Sequence, residues 1–119
     1  DEALFANLDW IKSNSKDVDI FVDALVSVYQ DMMNDPTIIS RETNPDGPIG
    51  QLPKEVLGNL DQFYTDAVAG GLYDANGGGI NAAKADMEWY SKAGQLQGDA
   101  ASLNINDFWY MEPLNKATK

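Results

Sequence analysis

Between Val18 and Met33, apolar residues recur at steps of three and four: Val18, Phe21, Val22, Leu25, Val28, Tyr29, Met32 and Met33. Such spacing gathers side chains on one side of a helix with 3.6 residues per turn. No convincing alternation of period two marks a strand elsewhere in the 119 residues. The expectation is an all-α chain, a small bundle of about four to five helices forming a single helical domain over residues 1–119. Ser15 is the expected N-cap of the long helix, and Asp17 and Asp19 place negative charge against the positive end of its dipole. Asn34-Asp35-Pro36 is the stop, and Pro36 is free to open a short helical piece through Ile38 and Ile39.

The same pattern reads more weakly on either side. Leu4, Leu8 and Ile11 mark a shorter amphipathic stretch beside Phe5 and Trp10, although Ala3 to Asn7 fits the end of a strand equally well. Asn44-Pro45-Asp46-Gly47-Pro48-Ile49-Gly50 is a loop by composition. One second helix is expected from Pro53 through Val56, Leu57, Leu60, Phe63, Tyr64, Ala67 and Val68 to Gly70-Gly71. Tyr73 to Gly79 is a further loop, and a third helix starts at Gly79 or Asn81, passes Ala83, Met87, Tyr90 and Ala93, and closes at Gly94. A short terminal helix is expected from Asn106 to Met111, ended by Pro113.

Composition narrows the chemistry. The chain has no cysteine and no histidine, which removes disulfides, thiolate nucleophiles, imidazole bases and nearly all zinc or iron–sulfur ligation. With 19 acidic and 8 basic residues its formal charge is −11, so it repels phosphate backbones and anionic lipid, and nucleic acid is not an expected partner. No stretch approaches the roughly 20 apolar residues that span a bilayer, and no direct membrane insertion is expected. The sequence starts Asp1-Glu2-Ala3, which reads as a processed mature protein or as a piece of something larger.

Four constellations bear on function. Ser13-Asn14-Ser15-Lys16 matches Ser-x-x-Lys, but neither Ser-Asp-Asn nor Lys-Thr-Gly accompanies it, and Asp17 and Asp19 would raise rather than lower the lysine pKa. Capping is the better reading. Asp74-Ala75-Asn76-Gly77-Gly78-Gly79 resembles the front of a calcium loop, yet Gly78 stands at the fifth position and Ala85 at the twelfth, so no cage closes. As a phosphate cradle it lacks a following Gly-Lys-Ser/Thr, with Lys84 beyond the first turn. Asp19 with Asp23, and Asp31 with Asp35, are spaced four apart, and a solvated face is the expected role. Twelve aromatics (3 Trp, 5 Tyr, 4 Phe) include Trp89-Tyr90 and Phe108-Trp109-Tyr110, read as core or docking contacts with the second group anchoring the tail. No catalytic, metal or cofactor-binding residue is assigned, and no cofactor is expected.

Three stretches carry a family resemblance. Leu4-Phe5-Ala6-Asn7-Leu8-Asp9-Trp10-Ile11-Lys12-Ser13-Asn14, followed by Val18-Asp19-Ile20-Phe21-Val22-Asp23-Ala24-Leu25, resembles a segment of periplasmic substrate-binding proteins of the sulfonate, nitrate and pyrimidine-precursor type. Phe63 to Tyr73 is similar to a later helix of that family ending in a Gly-Leu turn. Asn106-Asp107-Phe108-Trp109 with Pro113-Leu114 is similar to its terminal segment. The resemblance implies a two-lobed α/β fold hinged around a cleft, of which this chain is the helical C-terminal portion. It also implies a non-enzymatic role: the parent protein binds a small-molecule solute and passes it to a membrane ABC permease, in the periplasm or extracellularly, lipid-anchored or soluble. The family's ligand-contacting residues lie mainly outside this chain, so none is assigned here. Helices that cover a sheet in the parent would bury their apolar faces on each other or across a homodimer of the isolated chain. A competing expectation is a self-contained acidic helical module that presents an aromatic patch to a protein partner. A carboxylate-based hydrolase is the third, and it requires two carboxyl groups at glycosidase separation in one pocket.

Overall fold

A computed structural model describes residues 4–41 and 46–119, and among these every regular element is helical. In order they are α1 (Leu8–Ser13), α2 (Ser15–Asn34), α3 (Ile38–Arg41), α4 (Lys54–Leu57), α5 (Leu60–Ala69), α6 (Gly79–Lys92) and α7 (Glu112–Ala117), with 3-10 turns at Ala100–Ser102 and Ile105–Asp107. The all-α class is as expected. Seven α-helices replace the four to five anticipated among the described residues.

Each departure has a local cause. Residues 4–7 form no strand, and Asn7 caps α1 by accepting the Asp9 and Trp10 N–H groups on Oδ1 at 2.9 and 3.1 Å. Ser15 is not a cap. It lies inside α2, because Asn14 supplies the first acceptor, its carbonyl receiving the Asp17 and Val18 N–H groups at 3.0 and 3.1 Å. The helix expected from Pro53 to Gly70 is two. At the junction the Asn59 N–H turns back to the Val56 carbonyl at 3.0 Å while its side-chain amide takes the Glu55 carbonyl at 2.7 Å. Glycine at 58 does little to hold the helix through this point. Pro113 does not end a helix either. It lies in the first turn of α7, where a missing N–H costs nothing and a fixed φ is favourable. Of the loop expected from Asn44 to Gly50, Asn44 and Pro45 lie outside the described residues, and 46–50 is turn and bend.

Two helices close in the same way. Gly71 (φ +72°) follows α5: its N–H meets the Val68 carbonyl at 3.1 Å and the Leu72 N–H meets the Ala67 carbonyl at 2.9 Å. Gly94 (φ +70°) repeats this after α6, with Gly94 to Ser91 at 3.0 Å and Gln95 to Tyr90 at 2.9 Å. This paired pattern satisfies orphan carbonyls and needs a left-handed residue.

The chain divides into two compact units, Asp1–Leu25 with Gly78–Lys119, and Val26–Gly77. In the first, Ala83, Met87 and Pro113 are buried, and α6 packs on the Ala100–Ser102 turn. In the second, Val26, Met32 and Leu60 are buried, α3 packs on α5, and a Ser40–Asp61 hydrogen bond joins those helices. Tyr73 lies between Tyr29 and Tyr64, at 5.6 and 6.3 Å between ring centroids. Only these six positions are buried among the described residues. The apolar stripe of α2 is wider than the part covered: Val22, Leu25 and Tyr29 are half-buried, whereas Phe21 and Val28 are exposed.

A Cβ at Gly58 would sit at ordinary contact distance, 3.5 Å from the Lys54 carbonyl oxygen, and Gly58 has a helical φ of −65°. Gly58→Ala should therefore raise the thermal midpoint, by about 0.4–1 kcal/mol of stability. Gly71→Ala should lower it by about 1–2 kcal/mol, because its φ is positive. Thermal unfolding followed by circular dichroism checks both signs.

Candidate functional site

The residues that sequence alone singled out fall into separate local arrangements. Ser13 ends α1, and its hydroxyl donates to the Asp9 carbonyl at 2.8 Å. It forms no hydrogen bond with Lys16 among the described residues, so no activated nucleophile is assembled. In the Asp74–Gly79 loop, the Asp74 carboxylate accepts the Asn76 N–H at 2.7 Å and its carbonyl accepts the Gly77 N–H at 2.9 Å. That is an Asx turn. The loop delivers the chain into α6, with Gly78 at the N-cap. Among the described residues no three carboxylates gather where a metal ion could be held, and no helix is long and apolar enough to cross a membrane.

The paired aspartates are only partly a solvated face. Asp23 and Asp31 are exposed, as expected. Asp35 is not merely solvated. Its Oδ1 accepts the Thr37 N–H at 3.1 Å and the Thr37 hydroxyl at 2.6 Å, and the carboxylate pairs with Arg41. These bonds, those from Thr37 first, hold its carboxyl below the usual range. Asp19 pairs with Lys116 at 2.9 Å, and Lys116 also reaches Glu112 at 3.0 Å. Glu112 in turn accepts the Tyr110 hydroxyl at 2.9 Å. No spacing in the sequence signals this chain of contacts, because Asp19 and Lys116 lie 97 positions apart.

A cleft of about 440 Å³ lies between α6 and the segment from Asp99 to Ile105. Lys84, Met87, Glu88, Ser91 and Lys92 reach it from one side of α6, at the three- and four-residue steps that share a helical face. Met87, 2% exposed, is its firm base. The Ser91 hydroxyl donates to the Gly98 carbonyl at 3.3 Å, and Asp99 caps the 3-10 turn by accepting the Ala101 N–H at 3.1 Å. Both polar groups are thus used in holding the wall. Glu88 and Lys92 approach to 3.9 Å, both largely exposed, which makes a weak surface pair.

The aromatics divide by exposure. Trp89 is 56% exposed and meets Tyr90 edge to face at 5.0 Å. Phe108 is 54% exposed, while Trp109 beside it is half-buried. The Tyr110 hydroxyl donates to Glu112 only two residues away, a contact local to the tail, whereas the Lys116–Asp19 ion pair joins the tail to another element.

The Asp19–Lys116–Glu112–Tyr110 contacts give α7 a pH dependence. The Lys116 ammonium, followed by the Tyr110 hydroxyl, lowers the Glu112 carboxyl below its ordinary value. The hydrogen bond to Glu112 raises the Tyr110 hydroxyl, and those to Asp19 and then Glu112 raise Lys116. A lowered carboxyl contributes above its unfolded range and is lost as pH falls; a raised lysine contributes below its unfolded range and is lost only in strong base. Protection of the α7 amides against hydrogen exchange, corrected for intrinsic rates, should hold through neutral pH and fall as the Glu112 carboxylate protonates. Lys116→Met should reduce that acid dependence, leaving the part that comes from the Tyr110–Glu112 hydrogen bond.

No family model matches the chain, and no curated protein or solved structure matches it.

Proposed function

We propose that this chain is the helical C-terminal portion of an ABC-type solute-binding protein, exported and non-catalytic. In this reading its helices cover other parts of the parent protein, which binds a small solute and presents it to a membrane permease. The observation that carries the proposal is the amount of apolar surface that the helices leave uncovered. Leu4 and Phe5 are 73% and 93% exposed, and Ile20, Phe21, Leu72, Trp89 and Phe108 all stand open. Large apolar side chains left open within both units are positions at which a partner surface would remove the most apolar area from water. The three stretches that resemble the substrate-binding family supply the identity of that something. Under this reading the chain alone carries no solute site.

A self-contained acidic interaction module is the second reading. It is favoured by the helix ends that are satisfied within the chain: the starts of α1, α2 and α3 at Asn7, Asn14 and Asp35, and the ends of α5 and α6 at the turns of Gly71 and Gly94.

Reading the parent gene upstream of the Asp1 codon separates the two. The proposal expects an open frame encoding a signal peptide and a βα-rich region; a start codon directly before Asp1 would overturn it. Titration calorimetry of the 119-residue chain against an alkyl sulfonate, nitrate and a pyrimidine precursor should give no saturable heat. Saturable binding of any of them would contradict the placement of the solute site outside this chain.

A further inference from the structure

A groove of about 480 Å³ opens along the junction of α4 and α5, within the unit Val26–Gly77. It is lined by Glu55, Val56, Asn59, Leu60 and Phe63, at the point where Gly58 and Asn59 interrupt what would otherwise be one helix. Leu60, 8% exposed, forms its base; Val56 and Phe63, 40% and 56% exposed, are its apolar walls. The Asn59 side-chain amide donates to the Glu55 carbonyl at 2.7 Å, which leaves its second N–H and its oxygen open on the rim.

Charge frames the groove. Glu55 lines it, and Asp66 follows Phe63 by three residues, one turn further along the same side of α5. Gln62 donates to Asp66 at 2.8 Å, but neither carboxylate has an ion-pair partner among the described residues. Lys54, the nearest basic residue in sequence, does not line the groove.

We infer that this groove docks a partner helix that seats an apolar side chain between Val56 and Phe63 and sets Lys or Arg against Glu55 and Asp66. Charge complementarity decides the occupant. A second copy of this chain would bring another −11 and the same two carboxylates to the contact, and an anionic lipid surface is repelled for the same reason. The apolar anchor supplies the desolvated centre, and the flanking cations fix orientation and speed encounter. This inference uses only residues of α4 and α5 and does not rest on the solute-binding assignment.

The probe is a fluorescein-labelled amphipathic peptide of about 18 residues with leucine on one helical face and lysine on the other. A companion peptide has serine in place of leucine. Anisotropy titrations should show the leucine peptide binding at least about tenfold tighter than the serine peptide, with amide shift changes in the chain centred on residues 55–66. Val56→Ser with Phe63→Ser keeps the charge at −11 and should weaken the leucine peptide about tenfold or more. Glu55→Gln with Asp66→Asn, both at exposed positions, should weaken it several-fold and flatten its salt dependence. Equal binding of the two peptides, equal binding by the Val56/Phe63 variant, or shift changes centred elsewhere would overturn the inference. So would light scattering in which residues 55–66 mediate self-association.

Discussion

Local hydrogen bonding at helix termini is the interaction on which this structure depends. Asn7 closes the start of α1, Asn14 passes the chain from α1 to α2, and Asp35 turns it from α2 into α3. The left-handed turns at Gly71 and Gly94 close α5 and α6. All of these contacts span a few residues. They set the starts of α1, α2 and α3 and the ends of α5 and α6, whereas α4, α5, α6 and α7 start without a side-chain cap. Helices this short gain most of their stability from the apolar face they bury.

Among the described residues, the contacts that join separate elements in the unit of Val26–Gly77 include the packing of α3 on α5, the Ser40–Asp61 bond and the rings of Tyr29, Tyr64 and Tyr73 around one another. In the other, α6 meets the Ala100–Ser102 turn, and Lys116 brings α7 to Asp19. A Leu, Phe or Trp that is half exposed gives up only part of the roughly 1.5–3 kcal/mol available from full burial. The uncovered area is where a partner would contribute most, and this is the physical basis for reading the chain as something that packs on another surface.

Much of the secondary structure is legible in the sequence, for identifiable reasons. α2 and α6 are long enough for the three- and four-residue rhythm to dominate, and Asn34-Asp35-Pro36 and Gly94 are unambiguous stops. The break at Gly58 is hidden, because apolar spacing continues across it from Val56 and Leu57 to Leu60. Pro113 is ambiguous in principle: the same ring that forbids a helix interior favours a first turn. Exposure is the least legible property. Phe21 and Val28 share the apolar stripe with Leu25 and Tyr29, and only the positions of neighbouring elements decide which are covered. The tether from Asp19 to Lys116 and the groove at Val56 and Phe63 are tertiary products with no spacing signature of their own. The resemblance to solute-binding proteins rests on residue runs and draws no support from any matching family or structure.

The central claim is that folding of this chain leaves an unusual share of its apolar surface in water, and the heat capacity of unfolding measures that share directly. A fully packed globular domain of 119 residues should give about 1.4–1.8 kcal/mol/K, at about 12–15 cal/mol/K per residue. Scanning calorimetry of the isolated chain, summed over its transitions, should give a value clearly below that range. A value within or above it would mean that the apolar faces are already buried in the free chain, and would contradict the account.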